Sequence, residues 1–128
     1  MDNEPSEAGF FSFENLEVDK LAIKYGVAVY LATEEFPDKE RYNLTSQLRR
    51  AASCVAFNIT EGKGRGADSD FARLLFISRG SLLESVSALH LANGLGFIKS
   101  DAPTSLRKQA SQLNGKLNGF IRSLGGQP

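Results

Sequence analysis

This sequence predicts an all-α fold, an antiparallel up-down-up-down four-helix bundle. Three observations predict it. Apolar side chains recur every three or four positions in four separate stretches, the period of a helix with one buried face. Short runs rich in Gly, Pro, Asn and Asp separate those stretches, so consecutive helices double back on one another. Nowhere do apolar and polar residues alternate long enough to make a convincing strand.

The helices are expected at about 17–35, 45–61, 68–93 and 103–124, within one domain over 13–124. In the first, Leu21, Tyr25, Ala28, Val29, Ala32 and Phe36 form the inward stripe. Asn15 is the expected N-cap, Glu17 and Asp19 suit the positive end of the helix dipole, and Pro37 ends the helix. Asp38 to Tyr42 reads as a single turn closed by Asn43, a residue that tolerates a left-handed backbone. In the second helix Leu48, Ala52, Val55 and Ile59 face the core, and Gly62 fits the left-handed position just past its end.

Lys63, Gly64, Arg65 and Gly66 form an elbow, after which Asp68 is the expected cap of the third helix. Phe71, Leu74, Leu75, Phe76 and Ile77 spread around that helix farther than one core-facing stripe requires, and Leu82, Leu83, Val86, Leu89 and Leu91 continue the spread. The helix therefore asks for cover on two sides, and a second copy of the chain is the simplest cover. Phe71, Leu75, Phe76 and Leu83 are the expected oligomer interface. Pro103 opens the last helix, whose inward stripe is Leu106, Ala110, Leu113, Leu117, Ile121 and Leu124. Residues 1–12 are expected to be a disordered acidic tail and 125–128 a fraying one.

Hydrophobic residues make up 41% of the chain, and no apolar run approaches the roughly 18 residues of a membrane span, so a soluble protein with no membrane partner is expected. The acidic N-terminal stretch lacks the basic start of a secretory signal and Cys54 is the single cysteine, which together predict a cytoplasmic protein without disulfides. Net charge is zero but unevenly spread: residues 1–40 hold ten acids and three bases, residues 41–128 five acids and twelve bases. A broad nucleic-acid surface is thus not expected of one copy, whereas a basic face or head-to-tail charge pairing between copies is open.

No catalytic constellation appears. Gly62, Gly64 and Ala67 match a loose GxGxxA, but a helix precedes them where a dinucleotide loop needs a strand, so they read as a connector. One His and one Cys make no metal site, and no cofactor is expected. Arg49, Arg50, Asn58, Glu61, Ser81 and Glu84 are the polar residues to watch. If the elbow closes an antiparallel pair, Arg49 and Arg50 lie beside Gly80 and Ser81, within reach of Glu84, and a partly buried Arg–Glu pair there fixes register; separate solvated side chains fit the spacing equally. Candidate contacts to RNA or another anion are Arg49, Arg50, Lys63, Arg65, Arg107, Lys108 and Lys116, the last three on a basic outer face that also includes Arg122 and lacks interleaved aromatics.

Taken together, FENLEV, RYNLTSQLRRAA, NITEGKGRG, DFARLLFISRGSLLES and LANGLGFI, spanning about Phe13 to Ile98, resemble a bacterial family. Its members are the four-helix bundle proteins encoded within intervening sequences of large-subunit ribosomal RNA genes, sometimes labelled as a ribosomal protein. The resemblance implies an antiparallel bundle that closes into a homo-oligomer, typically a pentamer, with no catalytic activity and a loose association with RNA. Carried over by position, the family pattern falls on Arg49, Arg50, Asn58, Glu61, Gly62, Gly64, Arg65, Phe71, Gly80, Ser81, Leu82 and Glu84. Asp19 stands where an aromatic is usual, Ala56 where proline is common, Thr60 where alanine is usual and Val86 where a second acid is frequent. Ala56 implies a straighter second helix, and Val86 weakens any shared carboxylate site.

The function expected is a non-enzymatic homo-oligomeric scaffold or adaptor, with RNA or an RNA-binding protein as a further partner. The alternative is a direct RNA-binding module whose basic surface forms on oligomerisation. A third class, a hydrolase or small-ligand binder around Asn58 and Glu61, has least support.

Overall fold

In the computed structural model, residues 16–128 are described, and among them every regular element is helical. The expectations for the acidic tail over 1–12, for order beginning at Phe13 and for Asn15 as a cap fall outside the described residues. The helices are α1 (Glu17–Thr33), α2 (Leu44–Lys63), α3 (Asp68–Gly94) and α4 (Ala102–Ser123), with a short 3-10 helix at Asp38–Glu40. Each packs on its two neighbours in a ring, α1 on α2 and α4, α3 on α2 and α4, which leaves α2 and α4 diagonal to each other.

The expected stripes meet along the axis of this ring. Tyr25 and Val29 from α1, Leu48, Val55 and Ile59 from α2, Leu75 and Leu82 from α3, and Leu106, Leu113, Leu117 and Ile121 from α4 are all fully buried. Each such aliphatic side chain contributes about 1.5–3 kcal/mol on leaving water, which holds in place even the weak helix formers Asn114, Gly115 and Gly119 of α4. Two polar contacts lie inside. Ser78 donates to the Val55 carbonyl at 2.7 Å, and Tyr25 Oη lies 2.6 Å from Ser85 Oγ across the diagonal.

Several boundaries differ from expectation. Helix α1 stops at Thr33, two residues early, because Pro37 disfavours the helical region for Phe36; the chain tightens there into three-residue bonds such as Phe36 N to Thr33 O at 3.0 Å. Asn43 is not left-handed, its φ being −129°. It donates instead to Glu40 Oε1 at 3.1 Å, and the same oxygen accepts the Leu44 amide at 3.3 Å at the start of α2. Gly62 is not beyond α2 but buried within it, because a Cβ there would lie 2.6 Å from Phe71 Cδ1 and 3.3 Å from Leu74 Cβ. Asp68 is the first residue of α3, with Ala67 in the cap position and no side-chain capping bond.

The end of α4 turns into a hydrogen-bonded glycine cap. Gly125 takes φ +88°, its amide bonds Arg122 O at 3.0 Å, and Gly126 N bonds Ile121 O at 2.9 Å. That pair of bonds is the glycine-terminated Schellman arrangement. Helix α3 closes the same way, with Gly96 at φ +77° and Phe97 N bonded to Ala92 O at 3.0 Å. Phe97 is thereby turned onto Phe36, ring centroids 5.9 Å apart.

Candidate functional site

Large apolar side chains stay exposed in two places: Ile77, Leu83 and Leu91 on α3 with Leu95 just past its end, and a strip on α1 and α2 that the sequence reading does not single out. Phe71 and Leu75, two of the four expected interface residues, are buried within their own chain. Phe71 packs edge-on against Phe120 at 5.0 Å, and Leu75 joins the axis. Phe76 is half-buried, with the Arg79 guanidinium over its ring at 4.9 Å, while Arg79 reaches α4 by donating to Asn118 Oδ1 at 2.8 Å. Of the four, Leu83 alone stands exposed. Two neighbouring helices and α3's own arginine cover Phe71, Leu74, Leu75, Phe76, Leu82 and Leu89, whereas Ile77, Leu83 and Leu91 stay exposed.

On α1, Ile23, Val27 and Leu31 recur at four-residue spacing and remain 53%, 55% and 61% exposed, and Phe57 of α2 is 65% exposed beside them. Together with Tyr30 they wall a groove of about 330 Å³ along the α1–α2 seam. Small residues build its floor, Ala22, Gly26, Ala52 and Ala56, and they let the two helices approach while leaving a recess between the larger side chains. Four large apolar side chains left in water on one strip are unusual for a chain without a partner there.

Where the groove meets the start of α2 it becomes cationic and aromatic. Arg41, Tyr42, Arg49 and Arg50 join Tyr30, Ser53 and Phe57 around a second recess of about 480 Å³. Arg49 turns toward α1, not α3. Its Nε donates to Thr33 Oγ1 at 2.7 Å, its Nη2 to Tyr30 O at 3.4 Å, and its guanidinium lies 4.8 Å over the Tyr30 ring. Thr33 Oγ1 in turn donates to Tyr30 O at 2.8 Å, so Arg49 is held in place by a buried hydroxyl. Tyr42 is 90% exposed.

The polar network expected across α2 and α3 does not assemble. Asn58 donates to Cys54 O at 2.8 Å within its own helix, Glu61 pairs with Arg65 at 2.8 Å, and Arg50 and Glu84 are exposed with no ion pair between them among the described residues. The polar contact between α2 and α3 is instead the buried Ser78 hydroxyl on the Val55 carbonyl. An arginine prefers the helix that offers both a carbonyl and an aromatic face, and spacing along one pair of helices cannot show the third.

The basic residues also separate. Arg65 is engaged by Glu61 and Lys116 by Glu17 at 3.0 Å, while Lys63 Nζ lies 6.0 Å from the Phe71 ring. Arg107 and Lys108 are exposed on α4, diagonal to α2 and to Arg49 and Arg50. These seven side chains therefore do not form one surface on a single copy. Tyr30, Tyr42 and Phe57 were missed as site residues; the signal was present in their spacing, since Tyr30 follows the outward positions Ile23 and Val27.

Two ionisable groups are shifted. Burial pushes the Tyr25 hydroxyl above its ordinary range, partly offset by its bond to Ser85. The Glu35 carboxyl is held below its ordinary range by hydrogen bonds, first from Ser100 Oγ at 2.7 Å and then from the Lys99 amide at 3.0 Å. Among the described residues no three His, Cys, Asp or Glu side chains group as metal ligands would, and no helix is long and apolar enough to cross a membrane.

Residues 14–119 match the family described as 23S rRNA-intervening sequence protein. Among solved structures the chain is similar to a protein of unknown function of the S23 ribosomal protein family from Bacteroides thetaiotaomicron, at 19% identity and a TM-score of 0.72, covering 81% of this chain and 97% of that one. At this identity the likeness shows the fold. No curated protein matches the chain.

Proposed function

Since the chain belongs to the 23S rRNA-intervening sequence protein family, we propose that it acts as a non-enzymatic, cytoplasmic scaffold that assembles with copies of itself through the α1–α2 face. One observation carries this reading: Ile23, Val27, Leu31 and Phe57 stand more than half exposed along a single groove. Removing such side chains from water is the main favourable term in association, and aromatic anchors set in small-residue recesses are its usual hot spots.

Light scattering on size-separated protein tests it. The intact chain is expected at a whole multiple of 13.9 kDa, and Val27→Glu at 13.9 kDa with unchanged helicity. A monomeric parent, or a Val27→Glu protein of undiminished mass, overturns the reading. Dissociation by Leu83→Glu in place of Val27→Glu returns the interface to α3.

A second reading, direct RNA binding, has its own observation in the recess where Tyr30, Tyr42 and Phe57 surround Arg41, Arg49 and Arg50. Exposed rings stack on unpaired bases and arginines meet phosphates. Gel shifts with structured RNA at two salt concentrations are expected to show retardation that weakens with salt and is lost in Tyr42→Ala. No retardation at low salt removes this reading.

A further inference from the structure

A buried hydroxyl and a set of arginines meet at the start of α2. Arg41, Thr45 and Arg49 recur every four residues and line both the larger cationic recess and a smaller one of about 270 Å³ beside it. Thr45 is only 7% exposed, yet its hydroxyl makes no hydrogen bond among the described residues. Burying a hydroxyl without a partner is unfavourable, so Thr45 marks a place where something from outside the chain supplies the bond. The backbone adds donors there. Asn43 gives α2 no side-chain cap, and among the described residues no carbonyl accepts the amides of Thr45 and Ser46.

The charge is one-sided. Arg41, Arg49 and Arg50 line the larger recess with no carboxylate among them. The Arg41 and Arg50 side chains have no partner among the described residues, while Arg49 is fixed by Thr33 Oγ1 at 2.7 Å. This donor set exceeds what one phosphodiester can use, whereas a phosphomonoester brings a charge of about −1.5 to −2 and three terminal oxygens. Glu34 and Asp38 line the smaller recess beyond Arg41 and Arg49, so a strand running on past the arginines meets carboxylates with its next phosphate. A strand that ends at the arginines does not. Tyr42, 90% exposed on the same recess, offers the attached base a face to stack on.

We propose that this recess takes the terminal phosphomonoester of an unpaired nucleotide, with the phosphate on Arg41, Thr45, Arg49 and Arg50 and the base on Tyr42. The ligand is a nucleoside monophosphate, either free or as the phosphorylated end of an RNA strand. For the strand end, the proposal deepens the RNA reading above and rests on it. Arg49 is the preorganised member, because Thr33 and Tyr30 already order its side chain and little freedom is left to lose on binding. Thr45 supplies what a diffuse basic surface lacks, a directed hydrogen bond beside the free amides of α2.

Fluorescence anisotropy on the full chain tests it, using an internally labelled, unpaired RNA oligonucleotide phosphorylated at the 5′ end, at the 3′ end or at neither. One phosphorylated end is expected to bind about tenfold more tightly than the unphosphorylated strand, the worth of one hydrogen bond to a charged group. Thr45→Val and Arg50→Gln are each expected to remove that preference, and Arg107→Gln on α4 to leave it unchanged. Arg50 is exposed and unpartnered, so its replacement spares the fold even if Thr45→Val does not. Binding that ignores the terminal phosphate overturns the proposal and leaves the RNA reading standing, and a preference that Arg107→Gln removes as fully as Arg50→Gln overturns the placement. Calorimetry with the 5′- and 3′-monophosphates of adenosine, against adenosine itself, separates the two sources. A monophosphate that binds where no oligonucleotide does sinks the RNA reading and leaves the recess a nucleotide site, and binding of neither overturns both.

Discussion

Replacing Gly62 with alanine sets two effects of opposite sign against each other. Alanine in a helix interior is favoured over glycine by about 1 kcal/mol through lower backbone entropy in the unfolded chain. At Gly62 the added methyl would stand 2.6 Å from Phe71 Cδ1 and 3.1 Å from Cε1. Phe71 cannot easily give way, because it is buried and braced edge-on by Phe120. Such overpacking costs about 1–3 kcal/mol. Gly80 in α3 supplies the control, since nothing lies within 4 Å of a Cβ there. Gly80→Ala is therefore expected to stabilise by up to about 1 kcal/mol, and Gly62→Ala to fall about 1–3 kcal/mol below it, read from urea or thermal unfolding followed by helical circular dichroism. Gly62→Asn distinguishes packing from a left-handed cap: a cap tolerates asparagine better than alanine, whereas a crowded seam tolerates it worse. Equal stability of Gly62→Ala and Gly80→Ala refutes the argument, as does a failure of Phe71→Leu to relieve the loss.

Three further outcomes are expected. Ser85 Oγ donates to Leu82 O at 2.6 Å, so its proton is used and Tyr25 Oη must donate to it; Ser85→Ala then strands a buried hydroxyl at a cost of about 1–3 kcal/mol, more than the roughly 1 kcal/mol of Tyr25→Phe, as unfolding curves will show. Glu35 has a depressed carboxyl value, so its contribution is present above the ordinary glutamate range and is lost as pH falls through the depressed value; melts of the parent and Glu35→Ala are expected to converge in acid. Gly96→Ala, at φ +77°, is expected to destabilise by about 1 kcal/mol in the same unfolding assay, because it strains the turn that seats Phe97 on Phe36.

Periodicity alone places the four helices and nearly all of the axial core, because Leu48, Val55, Ile59, Leu113 and Ile121 repeat at helical spacing and large aliphatics at that spacing have few other uses. What the residues did not reveal is which helices stand next to each other. The elbow, the one geometric constraint in the sequence, offers Arg49 either α3 or solvent, yet its partners Thr33 and Tyr30 lie on α1. Phe71 and Leu75 seemed surplus because the breadth of α3 could be counted, while the covering supplied by α4 and Arg79 could not. Gly62 was recognised as necessary for the wrong reason, since a glycine required by backbone angle and one required by a neighbour's ring look alike in a sequence. The α1 strip escaped notice because Ile23, Val27 and Leu31 are interleaved with a second stripe, Tyr25, Val29 and Ala32, that faces the core.

The Gly62–Phe71 contact and the Ser78–Val55 bond sit two turns apart along the α2–α3 pair, and between them they stop one helix from sliding or rolling on the other. Helices α1 and α4 pack on this pair less closely than α2 and α3 pack on each other. Amide protons of α2 and α3 are therefore the ones that should exchange with solvent last, and those of α1 earlier. The groove along the α1–α2 seam thus has one wall anchored and one able to swing, so its width is adjustable from the α1 side alone.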